Sequence, residues 1–450
     1  MSSPFPAIAA VIIILGALMV AVQTAQRHLA WGPELSRKSV HVVMGSVCLT
    51  FPWIFHEAWP VWLLAGIASA ALGATRLIPE LKTRFGQVLC GVERESWGEM
   101  LFPLAVAFVF WLARGNLLLF LIPILTLTLA DAVAALIGRR YGLAKYETDD
   151  GWKSIEGSTA FFFVAFLSTH IPLLLASNIG RPECILISIN MGLILMLMEA
   201  IAWRGLDNLF VPLVSYVFLK RFSGLATDGL EFRLVILICI ITGFVYWRKS
   251  TRLTQSAVIG SALVLYTAWA VGDIHWLIAP LVTVAGYTFL CQQSADEPQR
   301  HTIHAIACIG GVGLFWLCLS QVIAAVNPIY AYGVAYGSNL GMIALAHFAS
   351  SPRIRRLSVA VFLAVVLAYL PMAVAYLVVW RANPDAIGLS IGAFLILLLS
   401  VSAFALWQPS VRNCPADIAR WGRQGTISAI GSAVAFILIS VLEPWAKSFR

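Results

Sequence analysis

The sequence predicts an all-α fold, a polytopic integral membrane helical bundle of about 14–16 transmembrane helices, and three observations carry that expectation. Of 450 residues, 60% are hydrophobic and only 12% are charged, about half the charged fraction of an ordinary soluble domain. Apolar runs of spanning length recur along the whole chain. A hydrocarbon core needs about 20 such residues per helix, and backbone polar groups in lipid must be satisfied within the segment. The runs also lack the strict alternation of barrel strands, so they read as helices.

In order, the runs fall near 5–22, 39–55, 59–75, 100–113, 117–137, 158–176, 184–202, 208–219, 230–247, 254–272, 274–291, 302–325, 331–350, 357–380, 386–407 and 425–443. The first has no Lys or Arg before it and no small-residue cleavage site after it, which predicts a retained helix rather than a signal peptide. The eighth is short for a span, and a re-entrant or broken segment is its other reading. Charge arbitrates in favour of a span. With all sixteen runs counted, most of the 30 Lys and Arg residues, from Arg27, Arg37 and Lys38 to Arg412, Arg420 and Arg423, follow odd-numbered runs. Omitting the eighth would put Arg248, Lys249 and Arg252 on the wrong side. The expectation is therefore a multi-pass protein, of the cell or inner membrane in a prokaryote, with both termini outside. The loops holding Arg37, Arg84, Lys145 and Arg355 then face the cytosol.

The net charge of +8 is accounted for by basic loops beside an anionic leaflet, and no nucleic-acid partner is needed. Between residues 76 and 100, Ile78, Leu81, Phe85, Val88, Leu89 and Val92 fall at helical spacing. That pattern fits an amphipathic helix on the membrane surface or one packed on neighbouring loops. The eight cysteines sit singly, without CxxC or ligand spacing, and read as packing residues.

Three polar clusters break the apolar pattern. The first, ELSRKSVH at 34–41, opens the second run. Helical spacing puts Arg37 and His41 on one face, a cation beside a titratable imidazole. Lys38 has a plain reading as a basic residue snorkelling at a span end; His41, inside the apolar run, does not. The second cluster begins at Asp131, an ionisable group inside the fifth run, where charge is costly enough to point to function. GRRYG at 138–142, a short polar loop and KSIEGS at 153–158 follow it. A carboxylate can hold Mg²⁺, Arg139, Arg140 and Lys153 can neutralise phosphate oxygens, and Gly138, Gly142 and Gly157 can let a backbone approach them. Ser154 or Ser158 at a helix start can add donors for an anion. The charge rule alone would also place the three cations here. The third cluster is Glu199, near the end of the seventh run, with GLDNLFVP at 205–212. Asp207 and Asn208 within it also read as simple helix caps.

These elements, ELSRKSVH, ADAVAALIGRRYG at 130–142, KSIEGS, and Glu199 with GLDNLFVP, resemble the polytopic family of phytol kinases, dolichol kinases and related polyprenol kinases. That family is similar in turn to the phosphatidate cytidylyltransferases. The resemblance covers roughly residues 32–219, and its strength lies in the order of four elements, each weak alone. It implies a cytidine nucleotide used with Mg²⁺ at a cytosol-facing site, and an isoprenoid or other lipid alcohol such as phytol, farnesol or a polyprenol as acceptor. Carried over by position, Asp131 binds metal or nucleotide, Arg139 and Lys153 meet the phosphates, and Glu156 orders the loop or shares the metal. Asp207 and Asn208 match the kinase branch, while the chain lacks the HGG-x-x-DR-x-D element of a phosphatidate cytidylyltransferase. The family usually has glycine where this chain has Ala130, which predicts a less close backbone approach to the phosphates.

A triphosphate stays in water and a prenyl chain in hydrocarbon, so such a site straddles the boundary. Arg139, Arg140 and Lys153 would then meet CTP or another nucleotide. The alcohol would arrive between the runs that begin at His41 and end at Glu199. Either of these can accept its proton, or both can simply brace the helices. Arg37 and Lys38 are substrate or structural residues on this reading. The sequence divides into a kinase-like membrane domain at 1–229 and a second helical domain at 230–450, to which it assigns no role. In the latter, Asp296, Glu297, His301 and His304 read either as a metal site or as interfacial residues. Four classes stay open: a CTP-dependent lipid-alcohol kinase, a cytidylyltransferase, a transporter, and a non-catalytic membrane scaffold.

Overall fold

This computed structural model describes residues 3–29, 31–77, 97–248, 251–291, 301–323, 328–380 and 384–448. The amphipathic stretch predicted over 78–92, and Asp296, Glu297 and Arg300, lie outside them. Helices of 13 residues or more answer the sixteen apolar runs one for one among the described residues. In the first half they are α1 (Phe5–Leu29), α2 (Pro33–Leu49), α3 (Trp59–Leu77), α4 (Gly98–Ala113), α5 (Leu117–Tyr141), α6 (Ile155–Ala176), α7 (Arg181–Ile201) and α8 (Asp207–Phe222). In the second half they are α9 (Thr227–Trp247), α10 (Gln255–Thr267), α11 (Ile274–Leu290), α12 (Ile303–Val322), α13 (Ile329–Ser350), α14 (Leu357–Trp380), α15 (Pro384–Trp407) and α16 (Ile418–Ser448). The protein is a polytopic all-α membrane bundle, and nine of its described helices are long and apolar enough to cross a bilayer by length and composition.

The eighth run is a continuous helix, not a broken segment. At 16 residues, α8 is about 24 Å long. Other helices begin earlier than their apolar runs. α2 starts at Pro33, a residue preset for a first turn, and so takes Glu34, Arg37 and Lys38 into the helix. α6 starts at Ile155, capped by the Ser154 hydroxyl, which accepts from the Gly157 N–H at 3.1 Å. Apolar patterning missed these turns because their polar side chains pair with one another instead of facing lipid.

The chain forms two compact units, 1–236 and 237–450, with the boundary inside α9. The first is organised round α5, which packs against α2, α4, α6 and α8 and buries Phe120, Ile122, Ile124, Leu127 and Asp131. The second is organised round α13, which packs against α11, α12, α14, α15 and α16. Buried polar side chains join its helices: the Asn339 amide donates to Ser428 Oγ at 2.9 Å and the Trp316 indole to Ser432 Oγ at 3.0 Å. Such contacts hold helices together where lipid offers no hydrophobic gain.

The polar loop after α5 is in fact a hairpin, the one departure from helix among the described elements. Strands β1 (Lys145–Thr148) and β2 (Gly151–Ser154) pair antiparallel, with Tyr146 opposite Lys153. The turn is Asp149 and Asp150, followed by Gly151 at φ 117°, a backbone that favours glycine. The Asp-Gly pair with flanking alternation was its signal.

The hairpin returns the chain so that α6 crosses α5 on glycine. A Cβ on Gly157 would lie 3.0 Å from the Ala134 carbonyl oxygen and 3.1 Å from Gly138 Cα, both backbone atoms. A Cβ on Gly142 would lie 2.7 Å from Ser154 Oγ. The close approach that Gly138 and Gly157 allow is that of one helix to another, and Gly142 lets the end of α5 turn against Ser154, so all three have a packing role whatever they do for phosphates. Gly157→Val should lower stability by about 1–3 kcal/mol through overpacking, read as a lower Tm in detergent. An unchanged Tm would contradict this crossing.

Candidate active site

α2 lays its polar face against α5, and the clusters separated in sequence meet there. Lys38 Nζ bonds Asp131 Oδ1 at 2.7 Å and Oδ2 at 2.6 Å. Both side chains are buried, with 4% and 12% of their surface exposed. Lys38 thus does not snorkel to the interface; it is the counter-ion that lets Asp131 sit inside the bundle. A buried charge without a partner would be far more costly.

One helical turn on, His41 sits beside the same carboxylate, its Nε2 3.7 Å from Asp131 Oδ2. Nε2 also lies 3.1 Å from the Leu127 carbonyl oxygen. A carbonyl only accepts, so Nε2 carries the proton and, in the neutral ring, Nδ1 is the basic nitrogen. The Phe102 ring meets the imidazole edge-on, with centroids 4.9 Å apart. At the start of α2, Arg37 is engaged by Glu34, with bonds of 2.8 and 3.4 Å to its two oxygens.

A second ion pair lies beside the first. Lys153, on β2, bonds Glu199 Oε1 at 2.7 Å and also the Glu199 carbonyl oxygen. Asp207, at the start of α8, interacts electrostatically with Asp131, Lys153, Lys38 and Glu199 and so joins the two pairs. Arg37 also interacts electrostatically with Asp131 and Asp207. Glu34, Arg37, Lys38, His41, Asp131, Lys153, Glu199 and Asp207 therefore form one charged cluster. With His41 neutral, its carboxylates outnumber its cations by one, and Asp207 is the carboxylate with no ion pair among the described residues. Neither Asp207 nor Asn208 acts as a side-chain cap of α8, which removes their plainest structural role.

Other expected site residues lie apart from the cluster. Arg139 and Arg140 are exposed on the last turn of α5, where Arg140 stacks over Tyr141 at 5.4 Å. Glu156 lies by Val133 and Ile137, about 200° and 240° round α5 from Asp131 at roughly 100° per residue. Its Oε1 accepts from the Ala144 N–H at 3.1 Å, so it orders the hairpin end. Of the two roles expected of Glu156, this placement supports loop ordering and not a metal shared with Asp131. Ala130 is fully buried inside unbroken helix, so a methyl there affects packing and not a phosphate-binding loop. In the second unit, His301 Nδ1 pairs with the Tyr287 hydroxyl at 2.8 Å and His304 Nδ1 with Thr302 Oγ1 at 3.2 Å. The two rings are committed separately, and among the described residues no three His, Cys, Asp or Glu side chains are placed to hold one metal ion together.

Two residues at the site escaped the sequence. Tyr146 shares a 2.7 Å hydrogen bond with Ser158 and interacts electrostatically with Glu199 and Lys153; the alternation of β1 was its only signal. Phe102, inside an apolar run, gave none.

Burial alone would depress the Lys153 ammonium, but Glu199, with Asp207 beyond it, raises it above the ordinary lysine value. The folded value exceeds the unfolded one, so the pair's stabilisation is complete below about pH 10.4 and is lost as pH rises through the raised value. Thermal melts between pH 6 and 9 should show no pH dependence from this pair, and Lys153→Met combined with Glu199→Gln, which leaves neither charge unpaired, should flatten only the alkaline limb. A change in the neutral range on that double substitution would show that the pair is not charged as drawn.

The chain is similar to a phytol kinase. The relative, from Synechocystis sp., is 27% identical over 208 residues, which are 45% of this chain and 84% of that protein. No known family profile and no solved structure matches.

Proposed function

We propose that the first unit is a membrane-embedded kinase that transfers the γ-phosphoryl group of CTP to the hydroxyl of an isoprenoid alcohol such as phytol, farnesol or a polyprenol. One observation carries this reading. His41, a potential proton acceptor, and two electrostatically linked carboxylates, Asp131 and Asp207, meet in one cluster between α2, α5 and α8. The similarity to a phytol kinase supports it. The site is proposed to face the cytosol, as the distribution of basic loops suggests.

Mg²⁺ commonly binds through one or two carboxylates completed by substrate phosphates. The surplus carboxylate Asp207 beside Asp131 fits that donor set, so these two would hold it. When bound, the ion offsets the negative charge spread over the transferring group. The protein's own groups do the rest. Arg139 and Arg140, exposed at the end of α5, attract and orient the triphosphate. His41 Nδ1 takes the hydroxyl proton while Nε2–H, held by the Leu127 carbonyl, fixes the tautomer. The lipid oxygen bonds to the γ-phosphorus as the bond to the β,γ-bridging oxygen breaks, and CDP leaves in line.

The test is product analysis with the full chain in detergent, supplied with CTP, Mg²⁺ and a panel of lipid alcohols. CDP and a lipid monophosphate are expected. Pyrophosphate and a CDP-lipid formed from phosphatidate would identify a cytidylyltransferase instead. No turnover with any nucleoside triphosphate would overturn the kinase reading.

A further inference from the structure

Apolar grooves run along two sides of α5. One, of about 500 Å³, lies between α5 and α6 and has Glu156 as its charged lining residue. The other, of about 480 Å³, lies between α1, α2 and α5; Ala21, Ala25, Val42, Val43, Ala132 and Leu136 line it, and Lys38 is its charged lining residue. We propose that this second groove holds the hydrocarbon chain of a lipid alcohol and delivers its hydroxyl to the Lys38–Asp131 pair. The proposal deepens the kinase reading above and rests on it.

Three features favour that occupant. The groove has the volume of a small-molecule site, about 300–1,000 Å³, and along α1 from Ala25 to Leu18 it extends about 10 Å. Its apolar lining suits a hydrocarbon chain, and one turn past Leu18 the exposed Ile14 of α1 continues an apolar path into lipid.

The polar end decides the headgroup. Lys38, the groove's charged lining residue, is neutralised by Asp131 at 2.6 Å, so the groove meets a cation with no surplus charge. A hydroxyl oxygen can accept from the Lys38 ammonium, a groove-lining group, at little cost in desolvation and keep its proton for His41. A phosphate headgroup would face the Asp131 carboxylate with no surplus cation to hold it. A neutral alcohol on an apolar chain is thus the matched ligand, and a phospholipid is not. The groove beside Glu156 offers no such route, because it lies on the far side of α5 from Asp131.

The experiment uses the full chain in nanodiscs and a farnesol analogue carrying a diazirine on its chain, without nucleotide. Photolabelling should map to α1 and α2 near Ala21, Ala25 and Val42, and phytol should compete where farnesyl phosphate does not. Ala21→Trp fills the groove from an exposed position on α1, so the Tm should be kept. Labelling should then fall, and the apparent KM for the alcohol should rise by about tenfold or more, with the KM for CTP unchanged. Ala21→Leu should act in the same direction more mildly, which guards against a folding failure of the larger variant. Ala160→Trp, in the other groove, should do neither. Labelling centred on Thr159–Val164, or insensitive to Ala21→Trp, overturns the proposal. Labelling at the stated residues with no phosphorylated product would retain the groove and remove the kinase reading.

Discussion

Asp131→Asn is expected to abolish turnover and also to destabilise the protein by about 3–5 kcal/mol, the usual cost of removing one partner from a buried ion pair. Sequence alone gives a different expectation, because the substitution keeps shape and an amide costs no more to bury than a carboxylate. Lys38 reverses this. Its ammonium bonds both Asp131 oxygens, at 2.7 and 2.6 Å, and it would remain buried without a counter-charge. Fold and function can be separated with a second substitution. Lys38→Met together with Asp131→Asn removes both charges, so most of the lost stability should return. Turnover should not return, since no carboxylate is left at the centre of the cluster. Thermal melts in detergent and the product assay, run on both variants, check this. A well-folded Asp131→Asn protein with near-normal turnover, or a double variant that regains activity, would remove Asp131 from the site.

That reversal shows what the sequence holds and what it does not. The helices were legible because lipid demands long apolar runs, and the short eighth run, kept as a span on the alternation of basic loops, is a continuous helix. Asp131, His41 and Glu199 stood out because ionisable groups inside such runs are costly. Their partners did not. Lys38 lies 93 residues from Asp131, and Lys153 lies 46 from Glu199. No local pattern says which distant cation neutralises which carboxylate, so Lys38 reads as a snorkelling interfacial lysine and Lys153 as a free phosphate ligand. The glycines show the reverse confusion. Gly138 and Gly157 sit where phosphate-binding glycines are expected, but two helices so close that a Cβ added to Gly157 would lie 3.1 Å from Gly138 Cα need the same residues. Glu156 was grouped with Asp131 by order along the chain, and the angular position of Val133 and Ile137 on α5 separates them.

Pairing also changes how the cluster divides its work. With Lys153 held by Glu199 and Arg37 by Glu34, the expected phosphate ligands left for the nucleotide are Arg139 and Arg140, exposed on the last turn of α5. Glu199, already bonded by Lys153 Nζ, is a poorer proton acceptor than an imidazole with a bare nitrogen. The chemistry thereby concentrates on α2 and α5.

The sharpest consequence falls on His41. His41→Ala should lower kcat by about 10²–10⁴-fold, the range for loss of a general base, while the KM for CTP stays close to that of the unaltered protein. The reason is placement. Nε2 is fixed at 3.1 Å from the Leu127 carbonyl and 3.7 Å from Asp131, which leaves Nδ1 to meet a hydroxyl, and none of the exposed arginines that would hold the nucleotide touches the ring. His41→Gln offers a discriminating control. Its amide can still donate to Leu127 and brace α2 against α5, but it cannot take a proton at neutral pH. If His41 is a base, Gln should restore the Tm lost on going to Ala and leave kcat low. If the ring only braces the helices, Gln should restore both. A variant that loses CTP binding, or an alanine variant with normal turnover, would show that proton transfer is handled elsewhere.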